Sequence, residues 1–525
     1  MKRSTILLTA FVFMVGTFSS APVSYAAGID DFLNHNHSNE VSEADVAEEQ
    51  QETGNTEDQS STVENTSLKK DTSWFDYDNP KKSYKITTAA ELMGLASLVN
   101  ENQVESWKPS RLENFEGVTF ILMNDIKLAE KWTPIGTGTA SYFAGTFDGN
   151  GHTVSGITIN SNVGYAGFFG YLKGQVKNLT VQGKIVSGDG SCGGIAGQLD
   201  SEARIINCTS DIDITAKDKT GGIAGFNKGG VIESSINIGN ISGTYKVGGI
   251  VGENWGGEIT MCGNKGKISS SQRGVATYGT GGVAGRSVSA DAKVTESFNI
   301  GTIISNTEAT GGVVGYTNAA GSEIISCYNN GEIIIKGNQK EVIQSWVGGV
   351  VGIVGCKGIK IHSCYASKGA TGADITGGVV GRYINDPNDS SENLIHKNYY
   401  VSDYYHEGIG QVEDKAKLNE AVLSVSSGAL NKMANSLGAG YINDTSGRYG
   451  NSGYPVLEWQ SPVTDEERSY MTTIPKEIQK EFDEYLINTA SDVKTGSFVI
   501  SFLDPDSYIS NAVSQYHQDH MEEDN

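Results

Sequence analysis

Between Gly193 and Gly381 a five-residue signature returns seven times: two glycines, two small or aliphatic residues, and a third glycine. It reads GGIAG at Gly193 and Gly221, GGIVG at Gly248, GGVAG at Gly281, and GGVVG at Gly311, Gly348 and Gly377. Successive copies lie 28, 27, 33, 30, 37 and 29 residues apart, a period that belongs to stacked repeats. A second element recurs between them and ends in Cys or Ser: IINC at Cys208, VIESS at Ser235, ITMC at Cys262, VTES at Ser297, IISC at Cys327 and IHSC at Cys364. A turn with Asn and Gly usually follows, as at Asn237 to Gly239, Asn299 to Gly301 and Asn329 to Gly331.

Each repeat thus offers two or three short runs rich in Val, Ile, Thr and Ser, bounded by Gly or Asn and lacking a helical period. A unit this small has no room for a helix and buries its apolar face only by stacking on its neighbours. The expected fold class is all-β, a parallel β-helix in which each strand bonds to its equivalent one coil away. It is right-handed by the general preference of parallel crossovers. Ile195, Ile223, Ile250, Val283, Val313, Val350 and Val379 should then stack as an aliphatic ladder. The flanking glycines should supply positive φ or close backbone approach at the corners.

Cys208, Cys262, Cys327 and Cys364 share one position in their repeats, with Ser235 and Ser297 in the copies between. An interior ladder of small side chains accounts for both residue types. A disulfide is the competing account in an exported chain, and Cys327 with Cys364 is the best-placed pair, one strand spacing of about 4.8 Å apart. The alternation with serine favours free thiols. No close Cys pair or Cys-His set has zinc-ligand spacing, so no metal or other cofactor is expected.

The signatures, together with WTPIG, GTFDGNGHTVSGI and GFFG (Trp132 to Gly170) and GYPVLEWQ (Gly453 to Gln460), resemble the GLUG-motif proteins. The resemblance covers roughly residues 84 to 460. It implies a secreted or surface β-helix protein of bacteria, whose repeat also occurs in non-catalytic regions of some zinc-dependent IgA1 proteases.

Composition agrees with a repetitive β architecture: 66 glycines against 9 prolines in 525 residues. A net charge of −23 argues against nucleic acid or an anionic membrane as a bulk electrostatic partner. Residues 1–27 run from Lys2 and Arg3 through an apolar stretch to small residues near Ala26. That order is a secretory signal peptide, and the apolar run is short for a membrane span, so no span is expected after cleavage. Residues 28–72 read as a disordered acidic leader with an incidental His35/His37 pair.

In residues 73–116, Thr88 and Glu91 form a capping box. Leu92, Leu95, Ala96 and Val99 follow at helical spacing, predicting a helix that plugs the open end of a solenoid spanning 117–400. Asn150-Gly151 signals a hairpin-type turn, and Asp148 with Asn150 lacks the downstream glutamate of a calcium loop. Residues 401–460 read as a closing segment with a helix from Asn419 to Leu437. Residues 461–525 form a small tail with a helix at Pro475 to Ala490 and a strand at Ser497 to Leu503.

No HExxH, GxSxG or phosphate-loop motif occurs; His406 and Glu407 continue as HEGIG. Asp211 and Asp213 alternate with Ile212 and Ile214 and should project outward. Phe226, Trp255 and Tyr316 should form a sparse aromatic strip on one outer face, suited to stacking on sugar rings or anchoring a partner. Two function classes follow. One is a secreted or surface-associated, non-catalytic binding or structural scaffold whose partners are host or envelope glycans or glycoproteins. The other is a solenoid-type polysaccharide lyase or hydrolase using outer-face carboxylates.

Overall fold

The computed structural model describes residues 70–461 apart from short internal stretches, of which the longest are 102–112, 385–393 and 413–421. The signal-like segment, the acidic leader up to residue 69, and the two elements expected beyond Pro475 lie outside the described residues.

One coil shows the plan. Its strands are Ser191–Gly193, Ala196–Leu199, Arg204–Ile206 and Thr209–Thr215, which belong to four separate sheets, called here the first to fourth walls. Each strand pairs in parallel with its equivalent one coil on: Cys192 with Thr220, Ala196 with Ala224, Ile205 with Ile232 and Ile214 with Ile241. Among the described residues the walls hold 8, 9, 11 and 16 strands. The fourth is largest because later coils split it into two pieces, as in Ile236–Asn237 and Ile241–Gly243. The protein is therefore an all-β parallel solenoid. Each repeat contributes four or more strands rather than two or three, because runs as short as two residues still pair when stacked. Coil strands also begin earlier and end later than 117–400, at Ser83 and Val425.

The core is built from inward-facing columns. On the third wall it runs Tyr84, Phe120, Phe147, Val176, Ile205, Ile232, Ile259, Val294, Ile324, Ile361 and Ile395, none more than 5% exposed. Each such side chain contributes roughly 1.5–3 kcal/mol by leaving water. The signature residues Ile195, Ile223, Ile250, Val283, Val313, Val350 and Val379 are all 0% exposed. Their N–H groups form a chain along the stack, each donating to the carbonyl of the next at 2.8–3.0 Å.

The signature glycines have a different role from the expected mixture. None has positive φ; the requirement is space. A Cβ on Gly225, a third glycine, would stand 2.3 Å from the amide nitrogen of Cys192, and one on Gly193, a first glycine, 2.4 Å from the Cα of Ala224. The second glycine faces the fourth wall, where a Cβ on Gly249 would meet Cγ of Asn264 at 2.4 Å.

Positive φ falls instead on non-glycine residues at the corner between the third and fourth walls. Asn178, Asn207, Ser234, Met261, Glu296, Ser326, Ser363 and Lys397 occupy it in successive coils, with φ between 46° and 58°. In the six coils from Asn207 to Ser363 the residue that follows is the Cys/Ser position, and its side chain donates back across the corner. Cys208, Cys262, Cys327 and Cys364 donate Sγ–H to the carbonyl two residues earlier at 3.2–3.3 Å. Ser235 and Ser297 make the same bond with Oγ–H at 2.9 and 2.7 Å. A small donor is what the slot needs, so thiol and hydroxyl interchange. All six cysteines are unbridged in this structure.

The Asn-Gly turns are also interior. Asn237, Asn264, Asn299 and Asn329 are 0% exposed and form a ladder. The first three donate Nδ2–H to the Oδ1 of the next asparagine at 2.7–2.8 Å, and all four donate to a glycine carbonyl two residues on. Asn150-Gly151 closes no hairpin: it joins the third-wall strand Thr146–Asp148 to the fourth-wall strand Thr153–Asn160. Asp148 there accepts from Asn150 N–H and Asn178 Nδ2 and pairs with Lys177, which is turn chemistry.

Helix α1 (Ala89–Asn100) starts with the capping box of Thr88 and Glu91, and its buried Leu92, Leu95, Ala96 and Val99 join the core beside the first coil. It follows the first strand, Ser83–Ile86, rather than preceding it. At the other end the expected helix from Asn419 to Leu437 is a strand, Val422–Val425, and two four-residue helices, Ser427–Leu430 and Ala434–Leu437. The chain then lies along the outside of the fourth wall. There Phe298, Tyr328 and Tyr365 stack at 5.3 and 5.0 Å with nearly parallel rings. Trp459 packs on Phe298 and donates Nε1–H to Glu296 O, Tyr328 pairs with Gln460, and Tyr365 donates to the carbonyl of Pro455. This segment is a lateral strap across coils.

Candidate functional site in the furrow between the first and second walls

Two positions in each repeat turn away from the core at the signature. One is two residues before the first glycine: Ser191, Lys219, Lys246, Gly279, Ala309, Trp346 and Ile375. The other directly follows the third glycine: Gln198, Phe226, Glu253, Arg286, Tyr316, Ile353 and Arg382. The bare glycine backbones let the first and second walls fold close together on this side, so the two columns meet along a furrow parallel to the stacking axis.

Tyr165 meets Tyr171 edge to face at 5.4 Å at one end. Burial, and then the charge of Asp200, pushes the Tyr171 phenol up to about 12. In the next coils the furrow is ionic. Lys219 Nζ sits 5.5 Å from the centre of the Phe226 ring and 2.6 Å from Asp218. Lys246 bridges Asp218 at 3.1 Å and Glu253 at 3.4 Å, and lies over the Tyr278 ring, which contacts Tyr245 edge to face. Arg286 Nη1 donates to Glu253 at 2.7 Å, and its guanidinium lies over Tyr316. The side chain of Glu253 is only 4% exposed. Burial alone would raise the Asp218 carboxyl, but Lys219 and Lys246 together hold it below the ordinary value.

Further along, the same positions are apolar: Ala309, Tyr316, Trp346 and Ile353 form an outer cluster with Val288. Arg382 covers the Trp346 ring at 4.6 Å, and Trp346 donates Nε1–H to Gln411.

The expected aromatic strip is not formed. Phe226 is half-buried under Lys219, and Tyr316 is 7% exposed. They share the furrow column but are separated by Glu253 and Arg286. Trp255 is 52% exposed and stands in another column, Lys228–Trp255–Val288, two residues further along its strand. Strand alternation alone could not find the furrow, since it does not say that two outward faces meet. The position two residues before each signature carried the signal, in Lys219, Lys246 and Trp346.

Asp211 and Asp213 do face outward. Each carboxylate is engaged by amides, Asp211 by Gln182 and Asp213 by the backbone and side chain of Asn240. Among the described residues no three His, Cys, Asp or Glu converge as metal ligands, and no described helix is long and apolar enough to cross a membrane. His406 and Glu407 line a shallow hollow of about 380 Å³ with Tyr400 and Val422 at the far end of the stack.

The fold and its furrow thus define a repeat solenoid whose outer columns are displayed coil by coil. Residues 243–269 match the family model of the GLUG motif, and this stretch is one turn of the stack. The chain is 35% identical over 95 residues to halomucin of Haloquadratum walsbyi (strain DSM 16790 / HBSQ001), a match spanning 18% of this chain and 1% of halomucin. A solved structure of a candidate immunoglobulin A1 protease from Bacteroides ovatus aligns with a TM-score of 0.37 and 19% identity. That alignment covers 72% of this chain and 92% of the other, and at this score it defines neither fold nor activity.

Proposed function

We propose that the protein works outside the cell, secreted or held at the cell surface, as a non-catalytic binding or structural scaffold that contacts host or envelope glycans or glycoproteins. The observation that carries this reading is the wall itself. Nine second-wall strands stack in register over a continuous core, so identical backbone positions present different side chains at steps of about 4.8 Å. Such a surface suits extended recognition. The third wall supports the same use: its outer columns pair across coils, as in Lys177 with Asp148, Arg204 with Glu233 and Lys360 with Glu323.

The lyase or hydrolase reading needs an acid and a base free to exchange protons with substrate. Asp211 and Asp213, the carboxylates it rests on, are tied to amides on the outer face of a strand. Incubation of the purified protein with glycan and envelope-component arrays, alongside reducing-sugar release from polysaccharides, separates the two. Retention without release is the expected outcome. Sugar release abolished by Asp211→Asn or Asp213→Asn would overturn the scaffold.

A further inference from the structure

Resting on that binding role, we propose that the ionic stretch of the furrow, centred on Lys246, Glu253 and Arg286, is a recognition site for carboxylated saccharides.

The repeat supplies its own control. Where a coil needs only to fill this furrow, Ala309 with Tyr316 and Trp346 with Ile353 do so with apolar contacts. The fold therefore does not require charge here. Glu253 is nevertheless sunk to 4% exposure between Lys246 and Arg286, themselves 11% and 21% exposed. Burying such groups carries a desolvation cost that pairing only offsets, so well-packed apolar residues are often as stable or more so. Polar groups kept at this cost, next to coils with an apolar solution, point to a role beyond packing.

The charge balance indicates the ligand. Among the described ion pairs here three cations, Lys219, Lys246 and Arg286, face two carboxylates, Asp218 and Glu253, within a chain of net charge −23. Arg286 commits only Nη1 to Glu253, and its side chain stays 21% exposed. The guanidinium is thus held in place with donor capacity to spare, the geometry that takes a carboxylate in a charge-assisted pair. Along the same furrow the half-exposed rings of Phe226, Tyr245 and Tyr278, the first carrying Lys219 and the last Lys246 over one face, offer their remaining apolar surface to a sugar ring. The Asp218 carboxylate, 27% exposed, accepts hydrogen bonds from ligand hydroxyls. The site spans three coils, two steps of about 4.8 Å, so the ligand lies along the furrow.

Calorimetry of the full chain with trigalacturonate, sialyllactose and lactose tests this. A uronic acid or a sialic acid could supply the carboxylate, and the two charged probes tell these sources apart; lactose reports sugar contacts alone. At least one charged probe should bind about tenfold or more tightly than lactose, as loss of a charge-assisted bond implies. Arg286→Gln and Phe226→Ala should each weaken that binding by about tenfold, while Lys293→Gln on the third wall leaves it unchanged. Circular dichroism and thermal melts confirm that each variant is folded. Equal affinity for lactose and the charged probes, or full retention in folded Arg286→Gln and Phe226→Ala, overturns this site. If the wild type then still binds other array glycans, the scaffold role survives without it; if it binds nothing, both fail.

Discussion

Asn264 donates its Nδ2–H to Oδ1 of Asn299 at 2.7 Å, one coil further along the stack, and the backbone of Gly249 lies so close to Asn264 that a Cβ would stand 2.4 Å from its Cγ. The two recurring features of the repeat, its glycines and its asparagines, are thus halves of one contact. The amide ladder satisfies the turn carbonyls inside the coil, where water does not reach.

Asn264→Leu should therefore destabilise the protein. It removes the acceptor for Asn237 and the donor to Gly266 O, and each buried group left unpaired costs about 1–3 kcal/mol. Chemical denaturation of the variant against wild type measures this. A loss smaller than about 0.5 kcal/mol would mean the ladder is incidental.

The two kinds of backbone constraint predict opposite signs. Gly225→Ala places a methyl against the backbone of Cys192 and should cost about 1–3 kcal/mol, the range for overpacking. Met261→Gly relieves a non-glycine residue at φ 50° and should be neutral or stabilising by up to about 1 kcal/mol. Thermal melts of both variants check the pair, and destabilisation by Met261→Gly would refute the corner assignment.

The strap should loosen as pH rises. Burial raises the Glu296 carboxyl above its ordinary value, and burial followed by the charge of Glu296 raises Glu458. A raised folded value means the folded state holds its protons more tightly. The stability these groups contribute is complete below the ordinary glutamate range and is lost as pH climbs through the raised values. Fluorescence of Trp459, which bonds to the backbone of Glu296, should report a shift over that window that is removed in Glu296→Gln. A pH-independent signal in the wild type would count against the arrangement.

His362 should titrate below the usual histidine range. Burial disfavours its charged form, as does His396, whose ring stacks on it at 4.7 Å. A lowered folded value means His362 contributes stability above the ordinary histidine range and loses it as pH falls through the lowered value. Proton NMR of the two imidazoles, compared with His396→Gln, is the measurement; an unchanged His362 titration in that variant would exclude the coupling.

Thiol titration should find six free thiols in the unfolded chain without reductant. In the folded chain Cys192, Cys208 and Cys262 should be inert, because burial pushes each thiol up to about 12. Two missing thiols would overturn the free-thiol assignment, with Cys327 and Cys364 the best-placed pair.

The period of the repeat, the aliphatic ladder from Ile195 to Val379 and the capped helix at Thr88 were legible in the chain alone. Each depends on local spacing: an apolar residue recurring once per coil has to meet its own copy if coils stack, and a capping box acts within four residues. What the sequence could not carry is the angle between neighbouring walls. That angle is set where Gly193 and Gly225 let backbones touch, and it decides that Lys246 meets Glu253, that Tyr316 is covered, and that Trp255 stands apart. The same holds for positive φ, which the amino-acid types assign to glycine but the stack assigns to Met261 and Glu296. It holds too for the strap, whose Trp459 finds Phe298 only because coils far apart in the chain lie side by side.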